Sequence, residues 1–283
     1  MSNTYQKLKS PAEILIEHLT GNRQEDLDRL FAKGVRIFDP LGQLLSSAES
    51  TAKMMTTSKL WANIEDTEVV CRITRIERAF IEVNARVKTD DERKVIRMPI
   101  SIHADLDHGL ISEARVYYTG HLLGIDLHRP PIIHSDPTIC FPKDHLGAYH
   151  KSLHGGDLEG VLARFEPNGY FKGPSGNYYR GLDELRKMFG FFFSGGDGIM
   201  LRYCTLTDDG VSLAIEYNYE CWGKSVYPTE AGCAAYERGP SGMILCGRSC
   251  DEVYVPVDSP QPLPDNRDDW GPLANTDIFT TGT

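Results

Sequence analysis

The chain opens on a helical pattern. Ile14, Leu15, His18 and Leu19 recur at the spacing of one face of an α-helix. A short second helix is expected to end near Phe31. A strand follows over Val35 to Phe38 and ends in a Pro/Gly turn. Ala48 to Leu60 reads as a third helix. Three long strands come next, Glu68 to Ile76, Phe80 to Lys88 and Lys94 to Asp105, with a last strand from Leu110 to Tyr118.

The same order then repeats. Leu146, Tyr149 and Leu153 mark a helix, and a second short helix ends near Phe165. A strand over Gly169 to Lys172 and a helix over Leu182 to Phe193 follow. Strands are expected over Leu201 to Thr207, Ser212 to Trp222, Ala231 to Glu237 and Met243 to Val255. The turn signals Thr207-Asp208-Asp209-Gly210 and Arg238-Gly239-Pro240-Ser241-Gly242 separate them. Helices first and an antiparallel meander afterwards predict an α+β class, not a βαβ alternation.

The repeat is visible in the residues themselves. Asp26-Leu27-Asp28-Arg29-Leu30-Phe31 parallels Asp157-Leu158-Glu159-Gly160-Val161-Leu162-Ala163-Arg164-Phe165. From Phe31 and Phe165 onward the halves keep one offset, 165 − 31 = 134. At that offset Pro40 meets Pro174, Gly42 meets Gly176, Lys53-Met54 meets Lys187-Met188, and Glu82 and Asn84 meet Glu216 and Asn218. Two tandem domains of one kind are therefore predicted, over residues 1–122 and 143–257. A Pro- and His-bearing linker joins them over 123–142, and a Pro-rich tail follows over 258–283. A chain of 283 residues suits two domains, since single domains usually run to roughly 100–200 residues.

Composition narrows the function classes. Forty acids against thirty bases give a net charge of −10, which argues against a sequence-independent nucleic-acid binder. No run of about 20 apolar residues reads as a membrane span. Met1 to Lys9 is polar and carries no apolar signal core, so a cytoplasmic location is the expectation. Seven cysteines without paired CxxC spacing read as free, structural thiols. The chain has no P-loop, no GxGxxG after a strand, no HExxH and no GxSxG. Its chemistry is expected to need no cofactor and no metal.

This element order resembles the NTF2-like (SnoaL-like) superfamily, whose domain is a cone of helices packed on a curved, mostly antiparallel sheet. The motifs are most similar to those of the ketosteroid isomerases. They are Tyr149-His150-Lys151-Ser152-Leu153-His154-Gly155-Gly156-Asp157-Leu158-Glu159-Gly160, Ile37-Phe38-Asp39-Pro40-Leu41-Gly42, and Met98-Pro99-Ile100-Ser101. The resemblance implies an apolar pocket in each domain. It places Asp39 on the family's proton-shuttling base, His18 on its oxyanion-binding tyrosine, and Ser101 on its protonated aspartate. Tyr118 falls on a pocket aromatic, and Trp61 joins the expected substrate-binding set. In the second copy Tyr149 keeps the tyrosine, but Gly173 stands where the base would be.

Asp39 at a strand end could exchange a proton with an acidic carbon, because an apolar cavity raises a carboxyl pKa toward the useful range. Ketosteroid isomerase is itself the standard worked case of that design. Asp-Pro is also a common turn former. Ser101, His103 and Asp105 alternate along one strand and so share a face. His103 beside Asp105 could act as an acid or base near neutral pH, and some NTF2-like dehydratases use such a pair. Glu216, Asn218 and Glu220 share a strand face in the second copy, which is also rich in aromatics: Tyr149, Tyr170, Phe171, Tyr217, Tyr219, Trp222 and Tyr236.

The resulting expectation is an acid/base isomerase or dehydratase acting on a hydrophobic, steroid- or polyketide-like small molecule. Asp39, His103 and His18 would be catalytic, and Ser101, Asp105, Tyr118, Trp61 and Tyr149 would contact the substrate. A non-catalytic binding or assembly protein, and a cyclase or epoxide hydrolase, are the alternatives on the same scaffold. The first domain is expected to hold the working pocket. The second would be a structural partner in an intrachain pseudo-dimer or an accessory binding pocket, with a homodimer of whole chains as a further arrangement.

Overall fold

A computed structural model describes residues 9–21, 27–39, 44–88, 95–123, 129, 131–174, 177–194, 196, 198–222 and 225–251. The Pro40–Gly42 turn, Gly176 and the tail over 258–283 lie outside the described residues, as do the side chains of Glu220 and Trp222.

Two compact units divide the chain, residues 1–117 and 118–283. In the first, α1 (Pro11–Gly21) and α2 (Leu27–Leu30) precede β1 (Phe31–Phe38) and β2 (Leu44–Leu45). Helices α3 (Ala48–Thr57) and α4 (Lys59–Ala62) follow, then β3 (Ile64–Thr74), β4 (Arg78–Lys88), β5 (Val95–Asp107) and β6 (Leu110–Tyr118). The second runs α5 (His145–Gly155), α6 (Leu158–Leu162), β7 (Phe165–Lys172), β8 (Tyr178–Arg180) and α7 (Gly181–Phe192). It ends with β9 (Ile199–Asp208), β10 (Ser212–Trp222), β11 (Ser225–Arg238) and β12 (Ile244–Cys250).

Each unit builds a six-stranded sheet of one topology, β2-β1-β6-β5-β4-β3 and β8-β7-β12-β11-β10-β9. In each, one parallel contact, β1 with β6 and β7 with β12, breaks an antiparallel meander. The architecture is α+β in both halves, and the repeat is structural as well as sequential.

Local chemistry sets the boundaries. Ser47 and Ser50 form a reciprocal capping box ahead of α3. Asp144 caps α5 by accepting from the Leu146 and Gly147 amides at 2.9 and 3.2 Å. Gly156 closes α5 at φ 66°, a left-handed conformation that costs glycine nothing. The helix expected over residues 48–60 is interrupted at Ser58, whose extended backbone ends α3 and starts α4.

The offset of 134 holds through α1 and α5, β1 and β7, and β4 and β10 (11 to 145, 31 to 165, 78 to 212). With the helices in register, the counterpart of Tyr149 is Leu15 (149 − 134), and that of His18 is Ser152. This corrects the placing of His18 on the tyrosine position. Counting back from Asp26 misleads because five residues separate α1 from α2 while only two separate α5 from α6.

Candidate functional site

Strand register decides which side chains face the helices. In the first unit Arg72, Ile81 and Ile102 stand side by side on β3, β4 and β5. Arg72 pairs with Glu13 of α1 at 3.2 Å, so that row is the helix side of the sheet. Ile100, Ile102 and Ala104 share it, all fully buried. Ser101, His103 and Asp105 therefore point to the opposite face. There His103 packs on Phe80 and Tyr117, with ring centroids 4.7 and 5.8 Å away. Asp105 binds Arg78 and Arg115, both at 2.7 Å.

The sheet separates the expected site residues. Ile37 pairs with Ala114 while Phe38 pairs with Arg115, so Ile37 belongs to the helix side and Asp39 continues that alternation. Tyr118 alternates with Tyr117 and joins the same side. Asp39 and Tyr118 are thus on the helix side, 3% and 0% exposed, and His103, Ser101 and Asp105 are across the sheet from them. Both ring nitrogens of His18 are buried without a hydrogen-bond partner among the described residues. Trp61 on α4 is buried. The pairing of Asp39 with His103 does not form, because a strand's alternation says which residues share a face but not which face that is.

Asp105 is a structural acid. Burial pushes its pKa up, but the guanidinium groups of Arg115 and Arg78 outweigh that and hold it below the ordinary value. The second copy repeats the arrangement, with Arg248 bound to Glu237 at 2.7 Å. Those positions correspond by register, since Arg78 faces Asp105 and Ser212 faces Glu237.

An open cavity forms in the second unit. About 670 Å³ of space, the open solvent at its mouth included, lies between its walls. Leu153, Phe171, Met188, Phe189, Ile199 and Leu201 make it apolar, and Tyr149, Asn177, Tyr179, Tyr217, Tyr236, Ser249 and Asp251 bring polar atoms to it. The register explains why these meet. Tyr217 faces Gly232, Ala234 faces Ser249, and Tyr236 faces Gly247, which faces Phe171. All of them point toward α5, whose Tyr149 ring sits 5.4 Å from that of Tyr236.

Asp251, just past β12, is 2% exposed. The Tyr217 hydroxyl donates to its Oδ2 at 2.6 Å, while Oδ1 is buried with no partner among the described residues. Burial raises its pKa to about 6, the Tyr217 hydrogen bond and the Arg129 charge pull it down, and Glu230 pushes it up. Such a carboxyl can take or return a proton near neutrality. Tyr149 is kept protonated, its pKa raised above the usual phenol range by burial, and it accepts a hydrogen bond from Tyr236. Its own hydroxyl proton is then available to an oxygen in the cavity. His150, held neutral by burial and by neighbouring His154, backs this pair, its Nδ1 lying 2.9 Å from the Tyr203 hydroxyl.

Sequence reading did not single out Asp251. A signal existed. Phe38 faces Arg115 and Lys172 faces Arg248, so the last strands correspond at an offset of 133 (248 − 115). Asp251 then stands where Tyr118 does, and Gly173 where Asp39 does. Each copy places one carboxylate at this end of the sheet, from different strands.

No family model matches the chain, and no curated protein matches it. Solved structures do. One, from Catenulispora acidiphila, is a hypothetical protein of ketosteroid isomerase-like fold in complex with trimethylamine. It is 18% identical over 39% of this chain and 87% of its own, with a TM-score of 0.33. An NTF2-like protein of unknown function from Cytophaga hutchinsonii is 17% identical over 41% and 94%, with a TM-score of 0.30. A putative SnoaL-like polyketide cyclase from Shewanella putrefaciens is 10% identical over 39% and 80%, with a TM-score of 0.34. The structural neighbours are NTF2-like and SnoaL-like proteins. Among the described residues, no helix is long and apolar enough to cross a membrane.

Proposed function

We propose that the second unit is a cofactor-independent acid/base catalyst for a hydrophobic, fused-ring carbonyl compound, and that it shifts a double bond or removes water. Asp251 is the proton-transfer group. In its ionised form it takes a proton from the carbon next to the carbonyl, and it returns that proton to a second carbon or to a departing hydroxyl. Tyr149 donates a hydrogen bond to the oxygen on which negative charge develops, and Tyr236 holds Tyr149 in place. A fixed donor aimed at the developing charge stabilises it without the reorganisation that water needs. The aromatic walls suit a flat molecule, whose faces pack on Phe171 and Phe189.

One observation carries this reading. Among the described residues, Asp251 is a buried carboxyl with a single donor and an unpartnered second oxygen, its pKa raised to about 6, on the wall of an apolar cavity. The test is turnover of a β,γ-unsaturated ring ketone and of a β-hydroxy ketone by the whole chain. Asp251→Asn is expected to cut the rate roughly 10²–10⁴-fold, and Asp39→Asn to leave most of it. A full rate in Asp251→Asn, or its loss in Asp39→Asn alone, would move the chemistry to the first unit. If neither ketone turns over but both bind, the cavity belongs to a binding protein.

A further inference from the structure

A second polar group in the cavity is without a full partner. Asn177 is 7% exposed, lines the cavity, and has no hydrogen-bond partner at Nδ2 among the described residues. Its amide approaches the Tyr179 hydroxyl, near enough to temper a pKa that burial pushes up to about 12, but short of hydrogen-bond geometry. A side-chain amide carries two N–H donors, so one remains even if Tyr179 takes the other. Leaving a buried donor unmet costs free energy, and that cost is recovered only when an acceptor arrives.

The backbone explains where the acceptor would lie. Asn177 accepts from the Gly173 amide at 2.9 Å across the β7–β8 hairpin. On the other side of β7, the pairing of Lys172 with Arg248 brings Gly173 level with Ser249. Asn177, Gly173 and Ser249 thus form a row across three strands, roughly 10 Å wide at the usual strand spacing. Asp251 lies two residues beyond Ser249 on the same face. Gly173 is a bare floor between them, since a Cβ there would meet nothing nearer than 4.0 Å. In the first copy, the side chain of Asp39 occupies the equivalent position.

We propose that Asn177 determines specificity: its Nδ2 receives a carbonyl oxygen at the end of the ligand remote from Asp251, with the ring body lying over Gly173. The ligand class is then a fused-ring molecule with an oxygen at each end. This rests on the reading of the cavity as the working site, but not on Asp251 being the proton carrier.

The test is calorimetric binding of estrone and of its deoxy analogue, which lacks only the ring ketone. Wild-type chain is expected to favour estrone roughly tenfold, the worth of one neutral hydrogen bond made to an otherwise unmet donor. Asn177→Leu should erase the preference while keeping affinity for the deoxy analogue. Asn177→Ser, which keeps a polar side chain but loses reach, should do the same if the leucine variant fails to fold. Asp251→Asn should retain the preference, so loss of turnover there leaves this inference standing. Equal affinity for the two ligands in wild type, a preference that survives in either Asn177 variant, or no binding of either ligand overturns it.

Discussion

Tyr217 and Asp251 join hands across an intervening strand. The first is on β10 and the second follows β12, and the 2.6 Å hydrogen bond between them passes over β11 at Gly232. That bond fixes one carboxylate oxygen and leaves the other for chemistry. It also opposes burial, which otherwise drives the acid form.

The pH profile should report this balance. As a base, Asp251 works ionised, so kcat/KM is expected to rise with pH through about 6 and then level off. Tyr217→Phe removes a contact that lowers the pKa, so the rising limb should move to higher pH. A limb that stays in place in Tyr217→Phe would mean that the profile belongs to another group.

The same carboxyl should weaken the fold. Its folded pKa of about 6 exceeds the ordinary 3.8, so the native state holds the proton more tightly than the unfolded chain does. The destabilisation is absent below the lower value, grows between the two, and is complete above about 6. Two pKa units correspond to about 3 kcal/mol at most. Asp251→Asn is therefore expected to raise Tm at pH 7–8, with the gain disappearing by pH 4. A stabilised but inactive variant is the usual mark of a site kept for function. Thermal unfolding of both proteins across that pH range checks it.

Much of this was legible in sequence. The helix and strand order and the repeat could be read from periodicity and from pairs such as Glu82 with Glu216. The face of β5 could not. Met98 through Ala104 are all buried, so the strand has no solvent side to give its orientation away. Ser101, His103 and Asp105 were seen to share a face, but the wrong one was supposed to look into the pocket. Asp251 was hidden for another reason. It is a lone acid at a strand end, and the tyrosine that bonds it, Tyr217, is 34 positions away (251 − 217). Only the sheet register brings them together.

On the opposite face, Arg115 is 0% exposed and is held by Asp105 and Glu113. Asp105→Asn strips one charge from a buried guanidinium and should cost about 2 kcal/mol at neutral pH, in the range of hydrogen bonds to charged groups. Because the folded pKa of Asp105 is lowered, its contribution is present above the ordinary carboxylate value and lost as pH falls through the folded one. The variant should thus lose less stability than wild type on acidification. Glu113 still neutralises Arg115 in that variant, which keeps the cost within that range. Turnover at the Asp251 cavity should change little. Urea unfolding at pH 7 and pH 3 measures the difference.

Gly232 is a tight point of the site. A Cβ there would meet the Tyr217 ring at 2.7 Å and the Asp251 Cβ at 2.9 Å, closer than real Cβ atoms approach. Gly232→Ala must therefore push Tyr217 and Asp251 apart, and overpacking of this kind costs about 1–3 kcal/mol. If the 2.6 Å bond orients the carboxylate, the alanine variant should lose activity well beyond what its stability loss explains. Its rising pH limb should also move upward, as in Tyr217→Phe, because the pKa-lowering contact is stretched. Combining Gly232→Ala with Tyr217→Phe should then add little to either pH shift, since both act on one hydrogen bond. Additive shifts would show that Gly232 serves the site by some route other than the Tyr217–Asp251 contact.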